Sequence, residues 1–306
     1  MTPRIPSIVR PVLVVLLLAQ LTACHRPSHS PERPVTPTLV DDLGRTVRVD
    51  SMARRIVSLA PSLTEMLYAV GAGARIAGVT TYCDYPADVR NKPVIGDLLA
   101  PDIERILSLR PDLVVISVEG NSPRTFERLE SLGLRIFVSN PRDIRGVLSS
   151  IRDIGILSGR RTHATALIDS LRRVQVELRA RRPRSQRSVL LLLSLQPLMA
   201  AGARTFIGEV IAIAGARNAA AGLAGNYPIL DRESLLRLDP DVILYPDDMG
   251  IDETRLRRGY PEWGRLRAVR GGRLYRIDAD RFLRPGPRVF EAAAQLQELI
   301  RRVDPD

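Results

Sequence analysis

A short pattern occurs twice in this chain, and the repeat constrains the fold more than any other feature of the sequence. The first copy, ERILSLRPDLVV, covers residues 104–115, and the second, ESLLRLDPDVIL, covers residues 233–244. Each copy predicts a short helix that is opened by an aspartate, Asp102 or Asp231, and stopped by a proline. The apolar run that follows at once is typical of a strand buried on both faces. The repeat therefore predicts two related lobes.

The length of the chain suits two such lobes. It has 306 residues, of which 45% are hydrophobic, and this allows two modest cores. An apolar helical stripe between the repeats, at 159–182, predicts one long helix that joins the lobes. The predicted fold class is α/β, with two lobes built on central, mostly parallel sheets. A ligand would lie between the lobes, near the carboxyl ends of the strands.

The first 24 residues predict export from the cytoplasm. Arg4 and Arg10 form a positive start, residues 12–19 form a short apolar run, and the sequence LTAC ends at Cys24. The apolar run is too short to span a bilayer. Its ending resembles the lipobox of bacterial lipoproteins, in which the cysteine becomes lipidated. An ordinary secretory signal with a coincidental cysteine is the alternative.

These signals define the domain organisation. Residues 25–37 contain four prolines and predict a semi-extended tether. We therefore predict a lipoprotein signal peptide at 1–24, a tether at 25–37, an N-terminal lobe at 38–158, a linking helix at 159–182 and a C-terminal lobe at 183–306. The folded body is expected outside the cytoplasm, held by the lipid in the periplasm or at the outer face of the cell membrane.

The charge of the chain does not indicate nucleic-acid binding. The formal net charge is +11, but only 4% of the residues are aromatic, so stacking partners for bases are scarce. Solvated arginine on helix faces explains most of this charge, and attraction to anionic lipid headgroups suits the rest.

Catalytic and metal-binding patterns are missing from the sequence. Cys83 is unpaired once Cys24 carries the lipid, and His163, in the middle of a helical pattern, is poorly placed to act as its base. The sequence contains no glycine-rich phosphate loop and no nucleophile elbow. His163 is the only histidine beyond the tether, so a histidine-based metal site is also excluded. We expect a protein that is not an enzyme.

Two helix starts can be predicted from local signals. Ser62 and Glu65 have the spacing of a capping box, with the hydroxyl at the N-cap and the carboxylate three residues later. Asn140 and Pro141 are expected to cap a helix that ends near Leu157.

Several motifs together resemble one family. They are RIVSLAPSLTE at 55–65, YCDYP at 82–86, both repeat copies and RPGPR at 284–288. In this order they resemble the periplasmic-binding proteins of cobalamin and ferric-siderophore ABC importers, over residues 38 to 302. The resemblance implies two α/β lobes bridged by one long helix, with little hinge bending. It implies a monomeric substrate-binding lipoprotein that serves a permease dimer with ATPase subunits.

The resemblance also suggests which residues contact the ligand. The ligand-binding candidates are Tyr82, Asp84, Tyr227, Asp280 and Arg284. Two alternatives stay open, because Tyr82 could simply pack in its loop and Arg284 could be a structural ion-pair partner of Asp280.

The resemblance implies a role for the repeated glutamates. In the family's importers, one surface glutamate on each lobe docks against arginines of the two permease subunits, and these glutamates fall on Glu104 and Glu233. A permease with two-fold symmetry needs two equivalent anchors. The alternative is that both are first-turn glutamates favoured by the helix dipole.

The identity of the ligand stays open at the level of sequence. Positions that are aromatic in the cobalamin-binding members are Leu98, Val118, Leu193 and Met199 here, although aliphatic walls can still bury a macrocycle. Haem is the next candidate, with Tyr82 as axial phenolate and Arg284 on a propionate. Ferric siderophores come third. A relative that kept the fold and lost the ligand, with a signalling role, is a further alternative.

Overall fold

The computed structural model describes residues 38–183, 186–249 and 253–303 of the chain. The predicted signal peptide, Cys24 and the tether lie outside these residues. Within the described ranges, no helix is both long and apolar enough to cross a membrane.

The first lobe contains a small hairpin and a parallel sheet. The antiparallel hairpin pairs β1 (Thr38–Val40) with β2 (Thr46–Arg48). The sheet is formed by β3 (Ile56–Ser58), β4 (Ile76–Val79), β5 (Leu113–Ser117) and β6 (Ile136–Ser139). Its strands lie in the order β4-β3-β5-β6, and nearly all their side chains are buried, as expected for strands covered on both faces.

The second lobe repeats this strand order. Its strands are β7 (Ser188–Leu195), β8 (Leu198–Ala200), β9 (Arg217–Asn218), β10 (Val242–Pro246) and β11 (Leu274–Ile277). The order β9-β7-β10-β11 is parallel throughout, and β8 adds an antiparallel pairing along the end of β7. Counting only the parallel strands of each sheet in chain order, the first strand lies between the second and the third in both lobes. The two-lobed α/β fold predicted from the repeat is confirmed.

Helices connect and cover the two sheets. They are α1 (Pro61–Ala69), α2 (Ile103–Ser108), α3 (Pro123–Ser131), α4 (Ile144–Leu157), α5 (Arg161–Ala180), α6 (Phe206–Ile213), α7 (Arg232–Leu238), α8 (Glu253–Gly259), α9 (Arg267–Arg270), α10 (Ala279–Leu283) and α11 (Val289–Val303). The two copies of the repeat form α2 with β5 and α7 with β10.

The long helix α5 joins the lobes. It packs on α4 of the first lobe and on α6 and α11 of the second, and it buries Ala164, Ile168 and Leu178. The buried Gln297 of α11 fastens the end of α5 by donating to the main-chain carbonyl of Leu178 at 2.8 Å. One hydrophobic core runs through both lobes and α5. The helix falls within the predicted range 159–182, while the division of the chain into domains stays a prediction.

Both predicted caps are wrong. Helix α1 already begins at Pro61, so Ser62 lies in its first turn and Ala60 stands at the N-cap without a capping side chain. Proline is favoured at the first position of a helix because its missing N–H is not needed there. Helix α4 begins three residues after Pro141, and its N-cap is Asp143, whose carboxylate accepts from the Gly146 N–H at 2.6 Å.

Candidate functional site

The carboxyl ends of the parallel strands carry the loops through which the lobes meet. In the first lobe these loops are residues 80–86 after β4 and 118–121 after β5, and in the second lobe the segment 278–288 follows β11. Because α/β folds place ligands beyond the carboxyl ends of strands, this junction is the candidate ligand cleft. The predicted ligand residues that meet there are Tyr82, Asp84, Asp280 and Arg284.

Arg284 links the two lobes at this junction. Its guanidinium donates to Asp84 Oδ1 at 2.6 Å and to the main-chain carbonyl of Tyr82 at 3.2 Å, both in the first lobe. It also pairs with Asp280 of its own lobe at 2.5 Å. Burial disfavours the charged form of Arg284, but hydrogen bonding to Asp84 and attraction to Asp280 outweigh burial and raise its pKa. The protein therefore satisfies this charge itself.

Glu65 of α1 completes the cluster from the first lobe. Its Oε1 accepts from Arg284 at 3.2 Å and from Arg288 Nη2 at 2.7 Å, and its Oε2 accepts from Arg288 Nε at 2.8 Å. The guanidinium of Arg288 lies 4.2 Å from the centre of the Tyr85 ring. Burial disfavours the charged form of Arg288, but the hydrogen bonds to Glu65 prevail and raise its pKa. Two arginines of the second lobe thus share one buried carboxylate of the first.

Asp84 and Asp280 interact with each other beside Arg284. Burial raises the pKa of Asp280 from its usual 3.8 to about 6, and the hydrogen bond with Asp84 adds to this shift. Burial alone would raise the pKa of Asp84, but hydrogen bonds with Arg284 and Asp280 lower it. Asp280 therefore takes up a proton more readily than Asp84.

Tyr227 lies at a second contact between the lobes. Its hydroxyl donates to Glu119 Oε1 of the first lobe at 3.4 Å. Burial and the nearby carboxylate of Glu119 raise the pKa of Tyr227 to about 12, so the phenol stays protonated. The loop that carries it is anchored by main-chain bonds from Ala200 and Gly202 to the carbonyls of Pro228 and Asn226. The structure thus places Tyr227 between the lobes, but against Glu119 rather than within the Arg284 cluster.

Tyr82 presents its ring to solvent from loop 80–86. Half of the residue, 50%, is exposed. A hydrogen bond to Asp97 and the charge of that carboxylate raise the pKa of the phenol. The neutral form of Tyr82 is therefore favoured over the phenolate.

Aliphatic side chains and one methionine stand at the four positions that are aromatic in the cobalamin-binding members of the family that the sequence resembles. Val118 is exposed, and Leu98, Leu193 and Met199 are half-buried. Asn121 of loop 118–121 holds this loop against the segment that contains Leu98, because its side-chain amide donates to the Leu98 carbonyl at 2.8 Å. The surface around these loops therefore combines exposed apolar area with fixed polar groups.

Sequence reasoning missed four charged residues at this junction. They are Glu65, Asp97, Glu119 and Arg288. Glu65 and Arg288 lie in the motifs RIVSLAPSLTE and RPGPR, but no local signal indicates that the two motifs meet. Glu65 was assigned to a helix cap that does not form. Asp97 and Glu119 carried no signal beyond their position in loops after strands.

The repeated glutamates occupy equivalent positions in the two lobes. Glu104 and Glu233 are the second residues of α2 and α7, and each helix is capped by an aspartate that accepts a main-chain N–H. Both glutamates are exposed. Because each helix leads into a parallel strand, its N-terminus lies at the edge where the preceding strands end. Glu233 has an ion-pair partner, Arg237, at 3.5 Å.

The remaining candidates for chemistry are structural or isolated. The Cys83 thiol is buried, lies 3.2 Å from the Thr64 hydroxyl and 3.3 Å from the Thr80 hydroxyl, and forms no disulfide. His163 is exposed on α5. Among the described residues, no group of histidine, cysteine, aspartate and glutamate side chains is arranged to hold a metal ion.

Comparison with known proteins defines the class. Residues 56–281 match the family described as Periplasmic binding protein. The chain is 31% identical to an uncharacterized ABC transporter substrate-binding lipoprotein, YvrC, of Bacillus subtilis (strain 168), over 94% of this chain and 96% of that protein. It superposes on the periplasmic vitamin B12 binding protein BtuF of Vibrio cholerae with a TM-score of 0.72 and 27% identity, covering 83% of this chain and 99% of that one. The periplasmic heme-binding protein BhuT, in complex with two hemes, gives a TM-score of 0.73 and 30% identity, with coverages of 83% and 99%.

The chain therefore belongs to the periplasmic binding protein family. It is a substrate-binding protein of an ABC importer, acts outside the cytoplasm, and is a transport component rather than an enzyme.

Proposed function

We propose that this protein carries a corrinoid, a cobalamin-like macrocycle, in the cleft between its lobes. The observation that carries the proposal is the state of Arg284, which is already bonded to Asp84, Asp280 and Glu65. A guanidinium with three carboxylate partners has little to offer to an acidic ligand, because each displaced bond must be replaced. The cluster therefore favours a cargo without carboxylates at this point.

The tyrosines of the cleft support the same class of ligand. Tyr227 interacts with Glu119 and Tyr82 interacts with Asp97, so each phenol stands beside a carboxylate that can accept further hydrogen bonds. Corrinoids carry neutral amide side chains around their ring, and amide N–H groups are suitable donors for such acceptors. The vitamin B12 binding protein of Vibrio cholerae is a structural relative.

The exposed apolar side chains around the loops suit the face of a macrocycle. These side chains are Tyr82, Leu99, Val118, Tyr227 and Ile229. Burying apolar area contributes about 25 cal/mol per Å², whether the wall is aliphatic or aromatic. Aliphatic residues at the positions of lost aromatics are therefore compatible with a large flat ligand.

Haem is the second candidate, because heme-binding BhuT is a structural relative and Tyr82 is exposed at the cleft. Two observations weigh against it. Asp97 raises the pKa of Tyr82, which disfavours an axial phenolate, and Arg284 is already paired instead of being free for a propionate. The same argument weighs against an anionic ferric siderophore, because it would face the carboxylate of Asp97 and the carboxylates already paired with Arg284.

We further propose that Glu104 and Glu233 dock this protein on arginines of the permease dimer. Their equivalent positions, their exposure and their separation onto two lobes all support the proposal. Charged pairs at the rim of an interface set its orientation and its association rate.

The last part of the proposal concerns attachment. Cys24 carries a lipid, the tether at 25–37 separates the membrane from a monomeric body, and the relative YvrC is described as a lipoprotein. At ~3.1 Å per residue, such a tether would span up to about 40 Å.

A thermal-shift screen tests the proposed cargo. Residues 38–306 form one compact unit and would be tested with cyanocobalamin, cobinamide, haemin and a ferric siderophore. A true ligand at 100 times its dissociation constant should stabilise the body by about 2.7 kcal/mol. Trp263, the single tryptophan, is buried in the second lobe and gives an independent fluorescence signal when an absorbing ligand binds.

The screen separates the alternatives. Stabilisation by cyanocobalamin or cobinamide supports the corrinoid, whereas stabilisation by haemin alone replaces it with haem. If none of the four compounds changes the melting temperature or the fluorescence, the corrinoid proposal fails and a ligand-free relative becomes the better description.

A further inference from the structure

Glu65 is an acidic side chain enclosed at the junction of the lobes. Its side chain is only 2% exposed, although α1 belongs to the first lobe and both of its arginine partners belong to the second. Its two carboxylate oxygens accept from Arg288 in a bidentate arrangement at 2.7 and 2.8 Å. Bidentate arginine–carboxylate pairs fix direction as well as distance.

Arg288 is enclosed to nearly the same degree. Its side chain is 9% exposed, and its guanidinium lies over the Tyr85 ring. A buried ion pair adds little stability by itself, but removing one partner leaves a buried charge without compensation. The position of Arg288 therefore depends on the charge of Glu65.

Glu65 is also connected to loop 80–86 through Arg284. The Arg284 guanidinium donates to Glu65 Oε1, and it also donates to Asp84 and to the carbonyl of Tyr82 in loop 80–86. Within the first lobe, the start of this loop has main-chain bonds from Thr81 to Gly96 and from Cys83 to Thr80. Arg284 thus holds the loop from the opposite lobe.

We propose that Glu65 is a positioning residue of the ligand cleft: it orders Arg284 and Arg288 of the second lobe, and through them it fixes loop 80–86. Glu65 does not contact the cargo in this scheme. The inference rests on the proposed function only in assigning loop 80–86 to the ligand. The arrangement of the charges is independent of which ligand binds.

Hydrogen exchange of the ligand-free, full-length chain tests the proposal. Glu65→Gln keeps the size of the side chain and removes its charge. Loss of one partner of a buried, bonded charge pair should speed exchange of the Thr81 and Cys83 amides by about 30-fold or more. Arg288→Lys, which keeps the charge but loses the bidentate geometry, should act in the same direction and serves if Glu65→Gln does not fold.

Asp241→Asn is the matched control. Asp241 is a buried carboxylate held by Arg267 at 2.8 Å and by Ser188 at 2.8 Å, wholly within the second lobe. It should speed exchange near β7 and leave residues 80–86 unchanged. The double variant Glu65→Gln/Arg288→Lys should affect the loop no more than the stronger single variant, because the pair that Arg288→Lys weakens is one of those that Glu65→Gln already removes.

The results decide the proposal without a ligand. The proposal is overturned if residues 80–86 of Glu65→Gln exchange at the wild-type rate, or if Asp241→Asn accelerates exchange there by the same factor as Glu65→Gln. Either result leaves the proposed cargo standing. A failed ligand screen with accelerated loop exchange would instead remove the cargo and keep the positioning role of Glu65.

Discussion

Arg110 and Asp239 adopt the same left-handed backbone conformation at the same position of the two lobes, with φ angles of 45° and 37°. Each stands directly before a Pro-Asp pair, just after the helix of its repeat copy. The aspartates that follow have equivalent tasks: Asp112 accepts two main-chain N–H groups just ahead of β3, and Asp241 accepts the Ser188 N–H at the start of β7. The repeated motif is therefore a turn that fixes the first strand of its own lobe.

The first prediction concerns the docking glutamates. Glu104→Ala should weaken binding to the permease by about 2 kcal/mol or more, if the carboxylate is bonded to an arginine in the complex. Glu233→Ala should cost less, because Arg237 already pairs with this carboxylate in the free protein. The double variant should largely abolish complex formation. The measurement is the affinity for the reconstituted permease at low and physiological salt.

Glu127→Ala provides a control for this prediction. Glu127 is an exposed glutamate on α3, outside both repeat copies. Its replacement should leave permease affinity unchanged, and cargo binding by all these variants should equal that of the wild type. Normal transport by the double variant would contradict the docking role.

The second prediction concerns Tyr227. Tyr227→Ala removes an aromatic wall of the cleft and should weaken cyanocobalamin binding by about 1.5 kcal/mol or more, roughly tenfold in Kd. Tyr227→Phe keeps the ring and loses only the hydrogen bond to Glu119, so a smaller loss is expected. Calorimetric titration of both variants is the measurement. Wild-type affinity in Tyr227→Ala would place the cargo elsewhere.

The third prediction concerns pH. Because the pKa of Asp280 is raised from 3.8 to about 6, the folded protein holds a proton between these values that the unfolded chain has lost. This group therefore makes the free energy of unfolding fall as pH rises from about 4 to 6, and adds no slope above about 7. Urea unfolding across this range should show that the stability of the wild type relative to Asp280→Asn declines from pH 4 to 6. A constant difference would refute the shift.

The fourth prediction concerns Cys24. Cys24→Ala should move the protein from the membrane fraction to the soluble fraction, since a lipid attached to this cysteine is the proposed anchor. Fractionation followed by immunoblotting is the measurement. Cys83→Ser is the control, because the buried Cys83 lies between two threonine hydroxyls and a serine can take its place. Membrane retention of Cys24→Ala would contradict the anchor.

The sequence alone determined the architecture of the lobes. The repeat, the apolar runs and the prolines predict α2 with β5 and α7 with β10, because periodicity, helix stops and double-sided burial are properties of short segments. The long helix α5 could be predicted for the same reason. The family motifs indicated the class of protein and several loops that meet between the lobes.

Only the tertiary structure decided which charges meet. Glu65 and Arg288 are separated by 223 positions, and the short-range rule for capping assigned Glu65 to its own helix. In the folded protein the two sheets bring RPGPR over α1, and a guanidinium at 2.7 Å is a stronger partner for a buried carboxylate than a helix N-terminus. Tyr227 was likewise separated from the Arg284 cluster by the folding of its loop. Charge pairing across lobes depends on how two independent sheets are juxtaposed, and no local pattern contains that information.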